Sequence, residues 1–414
     1  MLQFENNIGN LLPNEEALCL ASAFIQDKQT RIVVKKNRYE AQQLYQRLKP
    51  LNDDTLLFVM EESLRVQAIA SSPEDKQEQL YVLTQLVKED KPRIIICNTA
   101  AFFRYLPDKE LFKSLCFKFE VDQEITMTEL KQKLNRAGYT KVNYVDRPCT
   151  YASRGGIVDV YCLEYDHPIR IEFFDTVIES IRIFHEETQR TIETIDSVFI
   201  NPATDLLFTD DQIEFLQKEI DSELEKQHKK LIQDDYDFLL DYIEKDKIAL
   251  ENYDIDPHLY IYFSYLKANQ FMDYVSGHII FSSQEEVENG YKKLNEETIS
   301  FIQEMVESHQ YLPSYSMFHD VFTFEKEHNI QMFHDFMDFK NPIFSKIETL
   351  EKSDQPLIQI LENLKGNTIY ISLDKEHTKK VEEALKAYSI HRNITFIEDD
   401  FYEGFMYEDI SVYT

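Results

Sequence analysis

Residues able to do chemistry are plentiful in this sequence, but few stand in a pattern that chemistry requires. A nucleotide-binding P-loop needs GxxxxGK followed by Ser or Thr, because backbone N–H groups and the lysine must reach the same phosphates. The chain has eight glycines and none is followed by lysine. That excludes the motif, and glycine-rich dinucleotide fingerprints fall with it. The apolar stretch His278–Phe281 runs into Ser282-Ser283-Gln284, with no acidic pair to hold a magnesium ion. These features argue against ATP or GTP hydrolysis in this segment. His319, His328 and His334 lie close to Asp320 and Asp335, yet none form the i, i+4 pair of a helical metal site; they read as surface histidines. No histidine arrangement singles out Cys149 as a nucleophile, so it reads as a packed thiol. Carboxylates are too abundant for any pair to stand out as a glycosidase site. The sequence therefore selects no catalytic residue, no metal site and no cofactor site.

What remains is residues 147–190. Two glycines, Gly155 and Gly156, stand side by side between short β-rich runs, where a tight turn belongs. In Ile169–Phe174 the period of two sets Arg170, Glu172 and Phe174 on one face and Ile169, Ile171 and Phe173 on the other. After a turn at Asp175-Thr176, the next run sets Ile178, Ser180, Arg182 and Phe184 on one face. Paired as a hairpin, the two runs would share a surface of arginines and aromatics, residues that protein interfaces favour at their centres. The same pattern also fits a solvated sheet face with arginine stems packed over aromatics.

The bulk composition sets the frame. A chain of 414 residues is long enough for about two to four domains, and 43% apolar content supplies material for packed cores. No run of about 18 apolar residues occurs and the N-terminus lacks the basic-then-apolar order of a signal peptide, so no membrane association is expected. Five widely spaced cysteines without a CxxC read as reduced and cytoplasmic. With 75 acidic against 44 basic residues the net charge is −31. Such a surface repels duplex DNA, whose binding rests on phosphate neutralisation, and little direct DNA binding is expected; proteins are the expected partners.

Around the β-rich run, strands and helices alternate. Glu15–Ile25 and Tyr39–Leu48 read as helices, Arg31–Val34, Leu56–Met60 and Arg93–Cys97 as buried strands. Ser72-Pro73-Glu74-Asp75 reads as a helix start with Ser72 as cap. This alternation implies a parallel sheet covered on both sides. Thr126–Glu129 reads as a capping box, with Gly138 closing the helix. Then the period changes to two: Val142–Val145, Ile157–Tyr161, Ile169–Phe174 and Val177–Phe184 read as strands of a different domain, closed by Pro202. Residues 209–247 contain no Gly or Pro and read as long helix or helical hairpin. Further on, His278–Phe281 reads as strand and Glu285–His309 as helix. Gln355–Leu364, Thr368–Leu373, Lys375–Tyr388 and Ile394–Ile397 form a last α/β unit. The sequence stops inside an apparent strand, Ile410–Thr414, which suggests part of a longer protein.

Several stretches carry a family resemblance. Pro148–Asp159, Pro168–Asp175, Ile178–Phe184, Thr188-Gln189-Arg190 and Asn201-Pro202-Ala203 are similar to the domain shared by the excinuclease B subunit and the bacterial transcription-repair coupling factors. Thr188-Gln189-Arg190 favours the coupling factors. So do Ser71-Ser72-Pro73, Ile94–Thr99 before Leu106-Pro107, and Gly404-Phe405. The sequence departs from the family pattern where Cys149-Thr150 replaces Gly-Glu and Tyr161-Cys162 replaces Phe-Pro.

The resemblance implies a multidomain α/β chain. In it a degenerate, P-loop-type helicase-like domain (1–117 and 206–325) is interrupted by a β-rich α+β domain (118–205), with a small α/β third domain following (326–414). It implies a non-catalytic N-terminal module that recruits the excinuclease A subunit to lesion-stalled RNA polymerase. The resemblance puts Arg170, Arg182, Phe184 and Arg190 in the contact region; the alternation of Ile169–Phe174 adds Glu172 and Phe174 to the expected contact set, with Gly155 and Gly156 forming a structural turn. ATP and magnesium would belong only to a C-terminal translocase part of the full-length protein, whose partners would include RNA polymerase and double-stranded DNA. The alternatives are an excinuclease B-type ATPase that recognises damaged DNA, or a direct DNA-binding module.

Overall fold

A computed structural model describes residues 11, 13–62, 73–253, 256–313, 317–332, 345–346, 357–397, 404–407 and 409–413. Ser72, His334 and Asp335 lie outside the described residues. The first three strands, β1 (Arg31–Lys35), β2 (Thr55–Phe58) and β3 (Ile94–Asn98), are short apolar runs and all parallel. His278–Phe281 and then Ile330–Met332 add to the other edge of β1, completing a five-stranded parallel sheet with β1 and β3 interior. Strand side chains alternate between two faces, and both faces are buried here. Val33, Ile94 and Ile96 pack against the helices Pro13–Asp27 and Arg38–Leu48. Ile32, Ile95 and Phe281 pack on the other side among Leu80, Leu83, Phe102 and Phe103.

Between β3 and His278 the chain leaves this sheet. β4 (Phe117–Glu120) pairs antiparallel with β11 (Ser197–Ile200), so the two strands bracket everything between them. Inside that bracket, β5 (Thr140–Lys141), β6 (Thr150–Arg154), β7 (Ile157–Tyr161), β8 (Ile169–Phe174), β9 (Val177–Phe184) and β10 (Thr191–Ile195) form a six-stranded sheet in sequence order. The helix Met127–Arg136 begins with the expected capping box, Thr126 and Glu129 satisfying each other's backbone N–H groups. Gly138 follows at φ 88°, a conformation free of cost only for glycine. Leu130 and Leu134 of this helix belong to the same core as Val158, Val160, Ile169, Ile171 and Ile181.

Two helices, Asp210–His228 and Gln233–Asn252, make the hairpin expected over 209–247. A second five-stranded sheet closes the chain: Thr368–Ser372 lies between Ile394–Ile397 and Ile410–Tyr413, with Phe405–Tyr407 and Ser345–Lys346 beyond. One expected strand is absent. Val142–Val145 is not a strand; β5 ends at Lys141 and the following residues form a loop. β10, with its exposed and irregular pattern, and the amphipathic β4 carried too weak a signal to be read from sequence.

The six-stranded sheet is tied to the parallel sheet by buried charge. Arg104, just past β3 and its short following helix, meets Asp205 at 2.5 Å, and both are nearly inaccessible to water. Gln79 and the Tyr260 ring (5.5 Å) complete the surroundings of the guanidinium. Burial, the largest influence, pushes the Asp205 carboxyl up; the Arg104 charge and hydrogen bond, the Lys76 charge and a backbone hydrogen bond together hold the acid below the usual range. Removing one partner strands the other, so Asp205→Ala is expected to cost about 3–5 kcal/mol in urea denaturation. A loss under about 1 kcal/mol would show the pair to be dispensable.

A second buried acid fastens the helical hairpin. Asp246, 5% exposed, accepts from the Tyr262 hydroxyl at 2.6 Å and lies 2.5 Å from His258 Nε2. Burial pulls the imidazole pKa down, but hydrogen bonds and charge from Asp246 and Asp256 overcome it and raise it to about 9. Unfolded histidine titrates near about 6.5. The linked stability is therefore fully present below about pH 6.5 and is lost as pH rises through about 9. In thermal melts, the advantage of wild type over His258→Gln should shrink across that window; a constant gap would contradict the assignment.

Candidate interaction surface

One face of the six-stranded sheet is core; the other carries the charges. The register aligns Ala152, Asp159, Arg170, Arg182 and Thr194 in a row across β6 to β10. Arg170 and Arg182 thus stand directly opposite each other, a like-charge pairing that costs stability unless compensated. Two carboxylates compensate. Asp159 takes Arg170 in a two-pronged pair, Nε to Oδ1 at 2.7 Å and Nη2 to Oδ2 at 2.8 Å. Glu172 takes the Nη2 of Arg182 and also accepts from Ser180 Oγ at 2.9 Å. The Arg182 hydrogen bond, with Ser180 and nearby charge in support, depresses the Glu172 acid against its partial burial. The Asp159 hydrogen bond raises Arg170 further above its ordinary value.

The sequence reading placed Ile178, Ser180, Arg182 and Phe184 together on the open face; the structure corrects two of them. A β-bulge lies where Glu172 pairs with Ser180 but Phe173 pairs with Ile178. The extra residue, Glu179, reverses the alternation, and Ile178 turns into the core. Phe184 keeps its side of the sheet but is buried. Val145 and Ala152 cover it in a small satellite cluster, and the Arg170 guanidinium lies over its ring at 4.4 Å. The loop mistaken for a strand is what covers it, anchored by the Val142 N–H donating to Tyr151 O at 2.8 Å. Phe184 is thus a support for the arginine and does not stand on the surface.

Three named residues remain exposed or half-exposed at the ends of the face. Phe174, at the tip of the β8–β9 hairpin, is 73% exposed, a large apolar group in water. Glu172 lies two residues back on the same strand. Arg190 is exposed in the turn between β9 and β10, after Gln189 at φ 59°. Gly155 and Gly156 form the turn between β6 and β7. Gly155 has φ 55°, and a Cβ on Gly156 would meet the Phe173 carbonyl oxygen at 3.0 Å. The sequence reading passed over Arg154, exposed on the same face, whose guanidinium lies 4.1 Å from the Tyr144 ring. Its place in the alternation Ala152, Arg154 was a usable signal; Tyr144, in an irregular loop, had none.

Elsewhere the residues tested in the sequence sit in ordinary surroundings. Burial pushes the Cys149 thiol up to about 11, the reverse of an activated nucleophile. Cys149 also has φ 63°, a backbone geometry that explains glycine in the pattern it departs from. His319 is bonded to the Asn269 carbonyl at 3.1 Å and His328 stacks on Phe324. Among the described residues no group of three His, Cys, Asp or Glu could hold a metal ion, and no helix is long and apolar enough to cross a membrane.

The turn after β1, where a P-loop-type fold would hold phosphates, is filled by the chain's own side chains. Asn37 caps the helix Arg38–Leu48. Lys36 pairs with Glu40 and Glu286, and Arg38 with Glu61 and Asp75, while the Arg38 N–H is taken by Glu62 at 2.6 Å.

Residues 117–206 match the family model described as the UvrB interaction domain, so the class is a multidomain α/β protein built around that domain. Along most of its length the chain is also similar to proteins named transcription-repair-coupling factor. It is 27% identical to that of Bacillus subtilis (strain 168) over 410 residues, covering 91% of this chain and 34% of that protein. With that of Staphylococcus haemolyticus (strain JCSC1435) it shares 28% identity over 308 residues, 73% of this chain and 26% of the relative. The chain is similar to these transcription-repair-coupling factors, and it spans about a third of the length of the first and about a quarter of the second.

The turn geometry can be tested directly. Gly155→Ala introduces a Cβ into open space but at positive φ, and is expected to cost about 1 kcal/mol in thermal denaturation. Gly156→Ala, pressed against backbone, should cost more; the reverse order would contradict the geometry.

Proposed function

We propose that this chain is a docking module of a transcription-repair coupling system, and that the open face of β6–β10 binds the excinuclease A subunit. The observation that supports this most is the face itself, which lies inside the UvrB interaction domain match. It combines an exposed aromatic at a hairpin tip, Phe174, with arginines held in fixed positions, a composition suited to a protein interface. Arg170, Arg190, Phe174 and the Glu172–Arg182 pair are its working parts. In this reading residues 118–205 form the inserted binding domain. Residues 1–117 and 206–325 are a degenerate helicase-like domain whose role is to present it, and 326–414 form the third domain.

The filled turn after β1 favours a non-catalytic segment over an excinuclease B-type ATPase, because phosphates brought there would face Glu40, Glu61, Glu62, Asp75 and Glu286. A net charge of −31 favours protein over DNA as the partner of this segment. In the whole protein, acting in the cytoplasm as the N-terminal part of an ATP-driven DNA translocase, the module would bring excision repair to polymerase stalled at lesions. ATP, magnesium, RNA polymerase and duplex DNA would be handled by the remainder of that protein.

A pull-down with the excinuclease A subunit tests the assignment. Phe174→Ala, Arg170→Ala and Arg190→Ala should each weaken capture by about tenfold or more with the fold intact. Phe184→Ala should act differently, costing about 3–5 kcal/mol of stability as a buried aromatic. Undiminished capture by all three surface variants would remove the docking assignment.

A further inference from the structure

Arg170 is more tightly held than a surface arginine needs to be. Its Nε and one Nη2 hydrogen go to Asp159, and Gln189 Oε1 accepts from Nη2 at 2.8 Å. The Phe184 ring lies against the guanidinium. Of the five guanidinium hydrogens, the two on Nη1 meet no acceptor among the described residues. The charge is balanced by Asp159, and one edge of the group is held open.

Gln189 is the second half of this arrangement. It sits at φ 59°, in the left-handed region that an L side chain enters only at a cost. Its amide does two things: Oε1 takes Arg170, and Nε2 donates to the Glu186 carbonyl at 2.7 Å. The backbone closes the same turn, Gln189 N to His185 O at 2.8 Å and His185 N to Arg190 O at 3.0 Å. The turn that displays Arg190 is therefore fastened through one side chain to the guanidinium of Arg170, on the neighbouring part of the face. Glycine would satisfy the backbone at this position without strain, so the amide is what a glutamine adds.

We propose that Asp159 and Gln189 are positioning residues of the docking face: together they hold the Nη1 edge of Arg170 open and set the turn carrying Arg190 relative to it. The group this edge fits is a neutral oxygen acceptor, such as a main-chain carbonyl of the partner, because Asp159 already balances the Arg170 charge. Arg190, with no ion pair among the described residues, supplies the unbalanced cation. The inference rests on the docking reading above.

Binding of the excinuclease A subunit to the full 414-residue chain separates the two, read by titration beside thermal melts. Gln189→Gly removes the amide and relieves the backbone, so the melting midpoint should be unchanged or raised while binding weakens about 3- to 10-fold, the cost of ordering a released turn. Asp159→Asn should weaken binding about tenfold by removing the charge-assisted pair, and Asp159→Glu should restore part of the loss. A double-mutant cycle of Gln189→Gly with Arg190→Ala should be non-additive. If Gln189→Gly and Asp159→Asn bind like wild type while Arg170→Ala does not, the positioning role is wrong and the docking surface stands. A binding loss matched by a fallen midpoint in Gln189→Gly overturns it equally. Wild-type binding by Arg170→Ala, Arg190→Ala and Phe174→Ala together would overturn both.

Discussion

The pair of Arg104 and Asp205 is the constraint on which the arrangement of this protein depends. A chain that leaves a parallel sheet after β3, folds a second sheet, and returns for its fourth strand must hold the two ends of that excursion together. β4 and β11 do so with backbone hydrogen bonds. Arg104 and Asp205 do so with charge, deep enough that neither can turn to water. Such a pair is weak evidence for net stability, since desolvation consumes much of the attraction. What the pair does fix is position: the carboxylate that balances the buried guanidinium stands where the excursion ends. A partly exposed tie, Lys88 with Glu164 and the Phe199 ring, supports the same junction from the helix Pro73–Lys88.

Held in this way, the six-stranded sheet has one face committed to the core and one free. Charge on the free face follows a consistent rule. Each arginine in the central strands is given a carboxylate from the same sheet, so two guanidinium groups can stand opposite one another without repulsion. The result is a surface of fixed polar groups with low local net charge, set into a strongly acidic molecule. Such a surface suits recognition by shape and hydrogen-bond direction more than by long-range attraction, and the exposed Phe174 offers apolar area at one end.

In the parallel sheet, the helix N-terminus that follows β1 is occupied by the chain's own residues. Helix N-termini attract anions through unsatisfied N–H groups and the helix dipole. At the helix following β1, Asn37 takes that role and acidic side chains surround it.

Much of the scaffold was legible in the sequence because it rests on local periodicity. Uninterrupted apolar runs marked the parallel strands, the capping box marked the helix Met127–Arg136, and alternation set Arg170, Glu172 and Phe174 on one face of β8. Those properties depend on residues a few positions apart. The bulge at Glu179, the burial of Phe184 beneath Val145, the Arg104–Asp205 joint and the Asp159–Arg170–Gln189 network were not legible. Each joins residues whose proximity comes from strand register or chain return, which no local pattern encodes. By itself, then, the sequence determined which residues each strand could offer; the tertiary structure decided which were paired, covered or left open, because those outcomes depend on contacts between distant segments.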